Sequence, residues 1–432
     1  MKIKNTFIKS TIILLIGGFI TKILGMFIKI ITNRLLPTEG IGLYMLITPT
    51  FMLLITIAQL GFPTAISKLV AEEKNNNKNL VLSIIPFSIL LNLVIMVILL
   101  FSSNYIGTYL LHDKRCVLAL KSIGFVLPFI SISSILRGYF FGKQNMIPHI
   151  VSNITEDIVR LITLFIGIKI FLKKGISYTL SFIILSNILS ELTSIFVLFF
   201  FLPKNFKINK KDIIPKKDNI KNILNLSIPT TGSRIIGNIG YFLEPIILTF
   251  FLLKYGYSNN YIVSEYGIIN GYVMPLLLLP SFFTLAISQA LIPVVSKSYS
   301  DNNIIYTKKK IKQGILFSLA IGIPATILFI LIPDIPLKLI YNTTKGINYL
   351  RLMAPVCLLY YIQSPLSASL QAMGKAKDSM TATLLGVSIK LIVLIIGCSI
   401  RIGMFGLIAS IIINIIVVTI YDYKKISYYL RQ

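Results

Sequence analysis

The chain is a succession of long apolar runs separated by short polar connections. Twelve runs stand out, at roughly 7–31, 41–67, 80–101, 117–140, 147–171, 176–202, 223–252, 266–293, 314–333, 347–371, 379–400 and 402–421. Each is near or above the length of about 20 residues that a helix needs to cross the hydrocarbon core. The last two are separated only by Arg401 and its neighbours. Lys2, Lys4 and Lys9 lead into the first run as they would in a signal peptide. That run is too long for one, carries Lys22 and Lys29, and lacks a small-residue cleavage site, so it reads as a retained helix. No connection is long enough for a soluble domain. The longest, 203–222, holds seven lysines and two prolines and reads as a solvated hinge resting near anionic lipid. The pattern predicts an all-α polytopic membrane protein.

The hinge divides the chain into 1–202 and 223–432, six runs each, and three matches recur in order. Thr21-Lys22-Ile23-Leu24-Gly25 answers to Ser233-Arg234-Ile235-Ile236-Gly237, and Pro63–Lys68 answers to Pro293–Lys297. Gly142-Lys143 answers to Gly374-Lys375; Lys68 to Lys143 is 75 residues and Lys297 to Lys375 is 78. Six crossings per half make both halves enter from the same face. The expected arrangement is two parallel six-helix repeats, of the kind found in transporters that rock about a midplane site.

Composition sharpens this. The chain is 55% hydrophobic and only 13% charged, with a mean hydropathy of +0.83, against about 25% charged in soluble domains. Lys and Arg outnumber Asp and Glu by 42 to 15, a formal charge of +27. With the N-terminus inside, cytoplasmic segments hold 25 of these cations and outside loops 12. That bias places both termini in the cytoplasm. The charge is therefore topological, and no nucleic acid is needed to explain it. Three scattered cysteines and two histidines give no disulfide framework, metal site or catalytic triad. No cofactor is expected.

Five cations fall inside the runs: Lys22, Lys29, Arg160, Arg234 and Lys390. An ionisable group at midspan costs roughly 2.5–3.5 kcal/mol on insertion scales, so it faces a cavity or a partner. Lys22 and Arg234 hold matching positions of the two halves, and an anionic ligand would relieve two cations facing one cavity. Lys22, Gly25 and Lys29 share a helix face, and Arg234, Asn238 and Tyr241 form a polar stripe. Snorkelling to the interface is the alternative for Lys22, Lys29 and Arg234. Glu156 and Arg160 are spaced i, i+4 and read as an ion pair within one helix, with a coupling role as the alternative. Glu244 precedes Pro245, which frees a backbone carbonyl; together they bind a cation or proton, or mark a kink. Glu191 and Lys390 have no visible partners. Pro49, Pro63, Pro128, Pro275, Pro280, Pro293 and Pro355 give the bundles places to bend.

The stretches Gly42-Leu43-Tyr44, Gly61–Glu72 (GFPTAISKLVAE), Leu136–Pro148 (LRGYFFGKQNMIP) and Leu370–Lys375 (LQAMGK) resemble the stage V sporulation protein B group of polysaccharide exporters. That group belongs to the multidrug/oligosaccharidyl-lipid/polysaccharide (MOP) exporter superfamily, with lipid II flippases and multidrug and toxin extrusion antiporters. The resemblance covers essentially the whole chain. It implies a transporter fold and movement of an undecaprenyl-pyrophosphate-linked sugar between leaflets. It also implies that Lys22 matches a first-helix arginine of lipid II flippases, with the charge kept and the planar fork lost. A second arginine of that pattern would fall at Ile28, with Lys29 beside it.

The functional expectation is a non-enzymatic flippase of the cell membrane, acting in cell-wall or spore-envelope biogenesis. Lys22, Lys29, Arg234 and Asn238 would hold the lipid-linked glycan, and Glu156, Arg160 and Glu244 would serve coupling or structure. Membrane lipids and an unspecified coupling ion are the other expected partners. The competing class is a multidrug/cation antiporter of the same fold, in which acidic residues such as Glu156 and Glu244 bind the cation. A membrane glycan polymerase would need a large outer loop with acid/base residues, and none is present.

Overall fold

The computed structural model describes residues 2–72, 77–203 and 217–431, and no strand occurs among them. The body of the basic hinge, 204–216, lies outside the described residues. The helices are α1 (Lys2–Leu35), α2 (Thr38–Gln59), α3 (Phe62–Glu72), α4 (Asn77–Tyr105), α5 (Cys116–Gly142), α6 (Ile147–Leu172), α7 (Ile176–Phe200) and α8 (Lys217–Lys254). They continue as α9 (Asn259–Gly267), α10 (Met274–Leu277), α11 (Ser281–Ser300), α12 (Ile304–Leu331), α13 (Asp334–Tyr341), α14 (Ile347–Ala372), α15 (Ala376–Ser399) and α16 (Phe405–Tyr429).

Every apolar run in the sequence lies on one of these helices or a broken pair. Among the described residues, eight helices are long and apolar enough to cross a membrane, or nine with the bent pair α9–α10 and α11 counted as one. The helix α6 carries Glu156, Asp157 and Arg160 in its middle, and its polarity keeps it outside that group. The bend between α10 and α11 is 50°. It falls at Leu278-Leu279-Pro280, where the ring of Pro280 cannot continue the α-helical hydrogen-bond ladder. The last two runs are separate helices, α15 and α16. Between them Arg401 and Gly403 both take φ 61°, and the backbones of Gly397 and Gly406 approach so closely that a Cβ on Gly397 would lie 2.7 Å from Gly406 Cα.

The chain forms two compact units, Met1–Phe242 and Leu243–Gln432, with the boundary inside α8. In the first unit α5 is central and packs against α2, α3, α4 and α7, while α1 lies along α6. Its apolar cluster takes Phe62 and Ile66 from α3, Leu136 and Phe140 from α5, Leu198 from α7 and Ile223 from the start of α8. In the second unit α14 packs against α11, α12 and α16, and α15 lies along α16. The cluster there takes Leu291 and Val295 from α11, Leu366 and Leu370 from α14, Ile311 from α12 and Ile426 from α16. The ends of the second, fourth and sixth apolar runs of each half thus supply both clusters.

Helix ends set the register between the halves more finely than the residue match does. After α5, Gln144 is left-handed (φ 55°) and the N–H of Asn145 donates to the carbonyl of Phe140; after α14, Gly374 (φ 75°) and Lys375 close onto Leu370 in the same way. Gln144, not Gly142, is therefore the counterpart of Gly374. Gly142 has a different role: a Cβ there would lie 2.6 Å from Val70 Cβ and 2.7 Å from the Ser67 carbonyl oxygen. With Gly138, whose Cβ would meet the Pro63 backbone at 2.9 Å, it lets α5 and α3 touch along their backbones.

Candidate functional site

Lys22 and Lys29 lie on exposed faces of α1, and Arg234 lies on an exposed face of α8. None of the three makes a hydrogen bond or ion pair with another described residue. The glycine three residues after each matched cation faces open space: a Cβ on Gly25 or on Gly237 would find nothing within 4 Å. Gly18, one turn before Lys22, and Gly232 beside Arg234 are equally open. A glycine within a helix is less stable than alanine by roughly 0.5–1 kcal/mol. Here these residues leave clearance beside two charges. Asn238 is committed elsewhere, donating from Nδ2 to Thr56 Oγ1 of α2 at 2.7 Å.

The carboxylates behave differently. Glu156 does not pair with Arg160. It accepts from Arg137 Nη2 of α5 at 2.5 Å, and the same nitrogen donates to Ser194 Oγ at 2.8 Å and lies 3.7 Å from Glu191 Oε2 of α7. The i, i+4 spacing put Arg160 within reach, but Arg137 projects from a neighbouring helix and serves two carboxylates at once. The Nε of Arg160 is buried without a hydrogen-bond partner among the described residues. Arg137 lies near the end of the run 117–140, within α5, with its side chain 17% exposed.

In the second unit Glu244 is 1% exposed and forms an ion pair with Lys390 of α15. Tyr266 Oη donates to its other oxygen at 3.1 Å. The two partnerless ions of the sequence, Glu191 and Lys390, thus find partners on other helices. Neither pairing follows from helical periodicity. The available signal was the energetic one: an unpaired ion inside a span has to seek another. Among the described residues, no group of three or more His, Cys, Asp or Glu could hold a metal ion.

Long apolar helices, packed together and joined by ion pairs between them, define a multi-pass membrane protein. The fold agrees: a multidrug resistance MATE family transporter of the MOP superfamily, in an inward-facing conformation, superposes with a TM-score of 0.73 over 95% of this chain and 96% of that one, at 17% identity. A family model described as polysaccharide biosynthesis protein matches residues 7–299, and the MatE model matches 234–396. The stage V sporulation protein B of Bacillus subtilis (strain 168) is 35% identical over 98% of this chain and 84% of its own length. The lipid II flippase MurJ of the same organism is 23% identical, covering 89% of this chain and 76% of that protein. The chain belongs to the polysaccharide biosynthesis protein family.

Proposed function

We propose that this protein is a flippase that carries an undecaprenyl-pyrophosphate-linked glycan from the inner to the outer leaflet of the cell membrane by alternating access. In this reading its twelve apolar runs cross the membrane as two six-helix bundles, 1–202 and 223–432, with both termini in the cytoplasm. It serves cell-wall or spore-envelope assembly. One observation carries the reading: among the described residues the matched cations are exposed, unpaired and flanked by open glycines, whereas Glu156 and Glu244 are paired. Unpaired cations suit a pyrophosphate. Lys22 and Arg234 hold it, Lys29 supports it, and Asn238 positions α8 through Thr56. An inside-negative potential favours outward movement of an anion by about 2.3 kcal/mol per charge per 100 mV.

The antiporter reading needs carboxylates available for a cation. Glu156 already meets Arg137, and Glu244 meets Lys390 and Tyr266, which favours the flippase. Binding of undecaprenyl pyrophosphate to the protein in nanodiscs tests the assignment. Charge-assisted hydrogen bonds contribute about 1.5–3 kcal/mol, so Lys22→Gln and Arg234→Gln should each weaken binding about ten- to a hundred-fold. Unchanged affinity in both variants contradicts it.

A further inference from the structure

In the second unit a cavity of about 440 Å³ opens between α12, α14 and α16. Its floor is aliphatic, with Ile311, Leu366 and Ile426 all buried. Its rim carries Lys308 and Lys312 from α12 and Arg431 just beyond α16. Lys308 and Lys312 are spaced i, i+4, an arrangement in which like charges repel. None of the three has a carboxylate partner among the described residues. The neighbouring Lys425, by contrast, is paired with Asp378 at 3.0 Å. Ser427 adds a hydroxyl to the lining.

We propose that this cavity binds one anionic glycerophospholipid of the cytoplasmic leaflet. Three cations converging on a concave apolar floor match a molecule with a phosphate at one end and acyl chains at the other. The position also fits. Lys308 and Lys312 lie immediately before the apolar run that begins near Gly314, and the lysine and arginine bias puts that end of α12 on the cytoplasmic side. A hydrophilic anion would gain nothing from the aliphatic floor, and a neutral lipid nothing from the rim. The bound lipid ties the cytoplasmic ends of α12, α14 and α16 together and so stabilises the unit by mass action.

Native mass spectrometry of the full chain, titrated with phosphatidylglycerol or phosphatidylcholine, tests this. Wild type should retain one phosphatidylglycerol in preference to phosphatidylcholine, and its thermal midpoint should rise with the anionic lipid only. Each neutralisation among Lys308→Gln, Lys312→Gln and Arg431→Gln should weaken that binding about five-fold, and all three together roughly a hundred-fold. A control triple of equal charge change, Lys173→Gln, Lys254→Gln and Lys338→Gln, should bind as wild type does; its residues lie outside the cavity. Equal retention of both lipids, or equal loss in the two triples, overturns the site. Displacement by inorganic phosphate makes it a simple anion site and overturns the lipid. Displacement by undecaprenyl phosphate at lower concentration than phosphatidylglycerol reassigns it to the carrier lipid and overturns the proposal too. A triple variant that loses the wild-type fold is replaced by the single variants, read by the same lipid preference.

Discussion

Single side chains sort into two populations, and the sorting is electrostatic. Glu244 and Glu191 are buried, and each meets a partly buried cation from another helix, because a lone ion taken out of water costs several kcal/mol. Lys22 and Arg234 have no such partner among the described residues and stay exposed. The matched cations were legible in the sequence because duplication repeated their surroundings. The pairs were not, because Lys390 and Glu244 are 146 residues apart and no local spacing links them. Lys390→Ala strands Glu244 and should destabilise the protein by about 3–5 kcal/mol. Lys390→Met with Glu244→Gln should recover much of that loss. Reversible unfolding of the single and double variants in detergent measures the coupling, and additive losses would mean the two side chains do not interact.

At the scale of the element, helix contacts are set by glycines and prolines rather than by hydrophobicity alone. Apolar runs marked each helix but underestimated its reach. α8 begins at Lys217, six residues before the run that announced it, because polar residues extend the helix beyond the apolar stretch. The glycines of α5 read as family markers in the sequence. Their physical reason, backbone contact with α3, needed the third dimension. Gly142→Val would drive a branched side chain into Val70 and the Ser67 carbonyl. Overpacking of this kind costs typically 1–3 kcal/mol, so the thermal midpoint should fall. Gly25→Val, which faces open space, should leave the midpoint near that of wild type. Equal midpoints for the two variants would remove the close approach from the account.

For the whole molecule, the fold class and the family were legible from hydropathy and motif. The number of crossings was less so: twelve runs stand against eight or nine sufficiently apolar helices among the described residues, and α1, α6 and α14 fall outside that group. The proposed sidedness has a convenient test, because Cys116, Cys357 and Cys398 are all buried, at 0–1% exposure, and contribute little background labelling. In sealed vesicles, a cysteine introduced at the exposed Lys309 should react from the cytoplasmic side and one at the exposed Lys173 from the outside. The reverse pattern would invert the topology. The central claim is that exposed, unpaired cations carry a lipid pyrophosphate across the membrane. Its most direct measurement is flipping of a fluorescent undecaprenyl-pyrophosphate saccharide in proteoliposomes by wild type, Lys22→Ala and Arg234→Ala, each verified as folded. The account predicts transport by wild type that both substitutions abolish. Absence of lipid-linked sugar transport by wild type, with proton- or sodium-coupled efflux of organic cations in its place, would contradict it.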